Sequence, residues 1–260
     1  MREKEKEEIE IIKEKCNLAQ DENTSEDVLR ELSKEEDKNI RVLVAANKNS
    51  PEDVLNGFLD DINFVQEFLA MNTNCPEFIL RSLAKSNNGM TRNLVAANLK
   101  CPVDVLEEFA KSKDALMGVS TNSFTPTIIL EELFNQDAGA YRIFLAANPS
   151  TPINILEKLS KSFDEDIRAN VANNPYINED ILIILSKDKN FMIRRSISAH
   201  PKITNNLLEK LMEDENIEVV KSAKAALNGR KTPDEKQREI EKKIDIKENS
   251  REIDEFSLIT

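Results

Sequence analysis

Residues Ile40 to Leu59 read IRVLVAANKNSPEDVLNGFL. The phrase returns as TRNLVAANLKCPVDVLEEF from Thr91 to Phe109 and as YRIFLAANPSTPINILEKL from Tyr141 to Leu159. Aligned on the residue after the V-A-x triplet, eight copies have anchors at Asp21, Asn47, Asn72, Asn98, Asn122, Asn148, Asn174 and His200. The spacings are 26, 25, 26, 24, 26, 26 and 26, and a degenerate half-unit follows at Val219 to Leu227. A fixed period in this range is the signature of a solenoid, in which each unit buries its apolar stripe only by stacking on its neighbours.

The columns explain why. Three residues before the anchor stand Leu18, Val44, Leu69, Val95, Val119, Leu145, Val171 and Ile197, and one place later Ala19, Ala45, Ala70, Ala96, Ser120, Ala146, Ala172 and Ser198. A large column beside a small one suits helices that approach closely. After the anchor come apolar pairs such as Val54-Leu55 and Ile155-Leu156, with Phe58 and Leu159 three residues on, the i, i+3, i+4 spacing of one helix face. Thr24, Ser50, Thr125 and Thr151 read as N-caps, with Pro51, Pro126 and Pro152 as first helical residues. Thr24 to Asp27 and Ser50 to Asp53 read as capping boxes with Asp in place of Glu. Each unit is therefore two short helices joined at the anchor, one of them short enough to tighten into 3-10 form.

The motif V-A-x-N-P-x-T-P-x-x-x-L-x-x-L resembles the leucine-rich repeat variant family, with Asn148-Pro149-Ser150-Thr151-Pro152 the fullest match. The resemblance spans about Leu18 to Leu211. It implies an all-α fold, a right-handed α-solenoid of about eight repeats of two helices, each 24–26 residues long. Some members of that family carry an N-terminal cysteine cluster for an iron–sulphur centre. Here Cys16 is the one cysteine ahead of the repeats, so no cofactor is expected. Three segments follow: a capping helix at 1–17 with Ile9, Ile12 and Cys16 at helical spacing, the solenoid at 18–229, and a charged tail at 230–260, disordered or partly helical, whose Phe256 to Ile259 could dock on something.

The 260-residue chain carries a net charge of −12, which argues against a general affinity for nucleic acid, whose phosphates need Lys and Arg. The three cysteines lack metal-ligand spacing. Cys75 and Cys101 share a column, but stacked helices lie about 8–10 Å apart, beyond the roughly 7 Å that a disulfide spans between Cα atoms. Free thiols and no bound metal are expected, with a cytoplasmic location, no signal peptide, no membrane span and a monomer.

Little here points to catalysis. His200 is the single histidine and sits in the anchor column; there is no G-x-G-x-x-G, phosphate loop or H-E-x-x-H. Asp60-Asp61 reads as solvated turn charge. The column Asn47, Asn72, Asn98, Asn122, Asn148, Asn174 with His200 is read as structural, using the left-handed backbone that asparagine tolerates and bonding its own turn. Six residues before the anchors stand Arg41, Arg92, Arg142, Arg168 and Arg194, interrupted by Gln66 and Leu116. These are the candidate binding residues. One reading pairs each with a carboxylate of the preceding turn, Asp137, Asp164, Asp166 or Asp188; the other makes them a stripe for acidic segments or phosphates. Lys34, Lys85, Lys111, Lys161 and Lys187 recur near second-helix ends, where cations suit the helix dipole. The expected function is a non-enzymatic scaffold binding a protein or peptide along a concave solenoid surface. The alternative is a nucleic-acid-binding solenoid using the Arg and Lys columns.

Overall fold

The computed structural model describes residues 3–136 and 139–230. Those residues form seventeen α-helices, two 3-10 turns and no strand. The chain divides into two compact units, 1–156 and 157–260.

In the first unit, α1 (Glu3–Gln20), α3 (Lys38–Ala46), α5 (Asn63–Met71), α7 (Gly89–Ala97), α9 (Leu116–Thr121) and α11 (Arg142–Ala147) are the first helices of successive repeats. Each lies against the next. Between them run the second helices α2 (Glu26–Leu32), α4 (Glu52–Gly57), α6 (Glu77–Leu83), α8 (Val103–Ser112) and α10 (Thr127–Asn135); the boundary between units falls within α12 (Ile153–Leu159). The 3-10 turns are Phe58–Asp60, which tightens the end of a second helix, and Gly139–Tyr141. In the second unit, α13 (Glu165–Asn173) lies on α15 (Phe191–Ser198), and α15 on α17 (Ile217–Arg230), with α14 (Glu179–Leu185) and α16 (Asn205–Leu211) as second helices. The segment read as a cap at 1–17 thus continues into the first repeat as one helix. The tail beyond Arg230 lies outside the described residues.

The core is the column pattern made solid. Val44, Leu69, Val95, Val119 and Leu145 are fully buried, and so are Ala19, Ala45, Ala70, Ala96, Ser120 and Ala146. Leu18 departs from its column and is exposed, as is Asp21 in the anchor column. α1 has no described helix on its far side to cover them.

The helix starts differ from expectation in an instructive way. Pro51, Pro76, Pro102 and Pro126 are N-caps, not first helical residues. Asn178 and Thr204 hold the same place in the second unit and cap with their side chains. The preceding hydroxyls turn backwards. Thr24, Ser50, Thr125 and Thr151 donate to the carbonyls of Leu18, Val44, Val119 and Leu145 at 2.6–2.7 Å. A carbonyl in the last turn of a helix has no intrahelical partner, so the hydroxyl closes the end of the first helix rather than opening the second. The capping boxes do not form; Asp53 instead accepts from Arg30 of the previous repeat at 2.9 Å. Several first helices also have side-chain N-caps, where Asp37, Asn88, Asp164 and Asn190 accept from the N–H two residues on.

One repeat is irregular. The anchor spacing falls to 24 between Asn98 and Asn122. There Lys113 and Ala115 adopt left-handed backbone at φ 57° and 48°. Gly118 lies so close to α7 that an added Cβ would stand 2.2 Å from the Asn93 carbonyl oxygen and 2.7 Å from the Ala96 methyl.

Candidate functional site

The anchor column is a ladder of carboxamides. Asn72 donates to the carbonyls of Ala45 and Asn47 at 2.8 and 3.0 Å, and its Oδ1 accepts from Asn74 N–H at 2.7 Å. Asn47, Asn98, Asn122 and Asn148 repeat the pattern one repeat back each time, at 2.7–3.1 Å. The first carbonyl is again in the last turn of a helix, here of the preceding repeat; the second is that repeat's own anchor carbonyl, which also accepts a turn N–H, as Asn47 O does from Ser50 at 3.0 Å. Asn174 accepts from Tyr176 N–H at 3.0 Å. The expected left-handed turn does not occur: Asn47, Asn72, Asn98, Asn122 and Asn148 have φ between −63° and −72°. Asparagine is used for its donor–acceptor pair, not for its tolerance of positive φ.

His200 does the same work with a ring. Nδ1 accepts from Lys202 N–H at 3.2 Å, so Nε2 carries the proton and donates to Asn174 O at 3.1 Å. Burial, opposed by the Asn174 bond and aided by Lys202, holds its pKa below 6.5. A neutral ring with both nitrogens engaged has nothing free for general base chemistry or metal.

The arginines form a second ladder. Arg41 Nε and Nη2 donate to Asp61 at 2.7 and 3.1 Å, and Nη1 to the carbonyls of Glu35 and Glu36 at 2.8 Å. Arg92 forks onto Asp114 and reaches Ser86 O at 2.6 Å. Arg168 forks onto Asp188 at 2.6 and 3.1 Å, and Arg194 onto Asp214 at 2.7 and 2.8 Å; both arginines are buried and the aspartate side chains are at most 9% exposed. The guanidinium forks hold Asp61, Asp114 and Asp214 below the usual carboxylate range. For Asp188 burial pushes the other way, and the Arg168 fork with Asn190 N–H more than offsets it. The carboxylates come from the following turn, not the preceding one. Asp164 caps α13 by accepting from Asp166 N–H, Asp188 serves Arg168, and Asp137 lies outside the described residues.

The rule was readable: an acid stands 20 residues after Arg41, Arg168 and Arg194, and 22 after Arg92 in the irregular repeat. Lys15 with Glu35 extends it at 2.8 Å. Where Gln66 replaces the cation, Ser86 replaces the acid, and Gln66 donates to Leu59 O at 2.6 Å. Arg142 is the exception, with Ser162 at that distance in sequence. It lies over the Phe134 ring at 5.6 Å, and its Nε is buried without a hydrogen-bond partner among the described residues.

With both ladders engaged internally, the exposed surface carries a different feature. Phe64, Phe68 and Met71 stand at i, i+4 and i+7 on α5, and Met90, Leu94 and Ala97 at the same spacing on α7, flanked by Leu43 and Ala46 of α3. Met71 and Leu99 are 55% and 59% exposed, Phe64 and Met90 nearly as much. Phe64 and Phe68 meet edge to face at 5.3 Å. A groove of about 400 Å³ opens between Met71, Thr73, Leu94, Ala97, Leu99 and Lys100. Sequence reading passed over these residues because the buried columns already account for the helix. The signal was a second apolar stripe, offset by one position, in the units around Asn72 and Asn98.

The remaining candidates are inert. All three cysteines are free, and burial pushes the Cys75 and Cys101 thiols up to about 12, so they are protonated and poorly nucleophilic. Among the described residues no three His, Cys, Asp or Glu side chains gather as a metal site, and no helix is long and apolar enough to cross a membrane. The lysines near second-helix ends are exposed, with Lys34 and Lys161 paired to Glu31 and Glu157 one turn back at 2.8 Å.

No family model matches the sequence, and no curated protein matches it. Among solved structures the chain is similar to a leucine-rich repeat variant with a novel repetitive protein structural motif, at 20% identity over 82% of each chain, with a TM-score of 0.47. The assignment to helical repeats stands on this chain's own register and hydrogen bonds.

Proposed function

We propose that this chain is a non-enzymatic interaction scaffold whose binding surface is the exposed apolar face of α3, α5 and α7, occupied by a protein or peptide segment. The observation that carries this reading is the apolar groove that Met71, Leu94, Ala97 and Leu99 line together, continued along α5 by the Phe64–Phe68 pair. Contiguous exposed apolar surface marks interaction sites far more than scattered single residues do. The arginine column fits nucleic acid poorly, because Arg41, Arg92, Arg168 and Arg194 already have carboxylates. A phosphate would have to displace them.

A photocrosslinking residue at Met71, compared with one at Glu131 on α10, tests the reading in the native cell. Discrete protein adducts from position 71 alone are expected. Nucleic-acid adducts, or equal labelling from both positions, would count against it.

A further inference from the structure

The charge around the apolar face says what its occupant carries. Among α3, α5, α7, α9 and α11 the only acid is Glu67, and it accepts from Asn88 Nδ2 at 2.8 Å. The second helices hold the opposite balance, with Glu52, Asp53, Glu77, Asp104, Glu107, Glu108, Glu131 and Glu132. In a chain of net charge −12, the first helices from α3 to α11 are therefore almost free of acid, whereas α1, stacked on α3, carries six glutamates.

Cations stand at both ends of that stripe. Lys38 Nζ lies 5.8 Å from the Phe64 ring centroid at one end. At the other, Lys100 lines the groove beside Leu99 and reaches Asn74 Oδ1 at 3.4 Å. Neither has a carboxylate within ion-pair distance among the described residues. Lys48, at the neighbouring turn, touches Glu22 at 2.5 Å with both side chains largely exposed, a pairing of the kind that contributes little and yields readily.

Resting on the interaction reading above, we propose that the face takes an acidic segment of a partner protein, with bulky apolar side chains seated over Phe68, Met71, Leu94 and Leu99 and flanking carboxylates at Lys38, Lys48 and Lys100. Apolar burial supplies the affinity and the rim charges set the choice of partner. A nucleic acid meets the lysines but leaves the aliphatic part of the stripe unused.

The test uses the full chain and three fluorescein-labelled probes: a short peptide with two leucines flanked by glutamates, the same peptide with lysine flanks, and oligothymidine. Binding is read by anisotropy. The glutamate peptide is expected to bind at least about tenfold more tightly than the lysine peptide. The preference should shrink as salt rises and reverse in the Lys38→Glu/Lys48→Glu/Lys100→Glu variant. Met71→Asp/Leu99→Asp should abolish peptide binding with unchanged circular dichroism, and Met71→Gln/Leu99→Gln provides the same reading should the aspartates perturb folding. If the lysine peptide binds equally and is lost in the Met71/Leu99 variants, the interaction face stands and the acidic partner is wrong. If neither peptide binds, both readings fall. Oligothymidine binding as tightly as the glutamate peptide, with loss in the lysine variant, would overturn the inference in favour of nucleic acid.

Discussion

The asparagine at each anchor is chosen for what both ends of a carboxamide can do at once. Its N–H groups close two carbonyls of the previous repeat while its oxygen holds its own turn. Asn98→Ala should therefore leave the buried Ala70 carbonyl unpaired, remove a second bond to Asn72 O and free its own turn, costing about 1–3 kcal/mol, against about 0.5 kcal/mol or less for an exposed change such as Glu108→Ala, read from urea midpoints. Equal midpoints would remove the ladder from the account. Thr91 offers the converse. Its hydroxyl is buried with no hydrogen-bond partner among the described residues, so Thr91→Val should raise the midpoint, while a fall would mean the hydroxyl is satisfied in solution. His200 adds a pH dependence. Its folded pKa lies below the ordinary 6.5, so below about pH 6.5 the unfolded chain takes a proton that the folded ring refuses. Stability should fall as pH drops from about 6.5 toward the folded pKa, and His200→Asn should abolish that part of the decline in thermal scans. An unchanged slope in the variant would assign the loss to other groups. The aspartates of the arginine ladder act lower: their depressed pKa values keep their contribution intact above about pH 4.

At the scale of the helix, the repeat register and the apolar columns are legible because burial imposes them on every unit. The alternation of first and second helices follows directly. The polar roles were less legible because one side chain had several carbonyls to choose from. The Ser and Thr hydroxyls look like N-caps by type, yet three-dimensional proximity gives them the end of the preceding helix. The arginines called for a carboxylate, and nearness in sequence suggested the turn before, whereas stacking brings the turn after. Gly118 was silent in sequence and becomes intelligible only from the close approach of α7 and α9. Gly118→Ala should force those helices apart at a cost of about 1–3 kcal/mol, seen as a lower urea midpoint with faster amide exchange in both. A midpoint equal to the parent's would mean that the contact relaxes freely.

At the scale of the whole chain, most of the acidic charge and the apolar groove lie on different helices. Acids populate α1 and the second helices, while α5 and α7 carry the apolar stripe with lysines around it. That segregation was hidden in the sequence, where the two kinds of helix alternate every dozen or so residues and the net charge of −12 describes neither. The division of labour it implies is that the arginine and asparagine columns build the array while the apolar face does the binding. The most direct test measures the affinity of the glutamate-flanked leucine peptide for Arg92→Ala and for Leu99→Asp side by side. The account predicts that Arg92→Ala binds within about twofold of the parent, despite a lower unfolding midpoint, and that Leu99→Asp loses about tenfold or more. A salt-dependent loss of binding in Arg92→Ala, with Leu99→Asp unaffected, would contradict it.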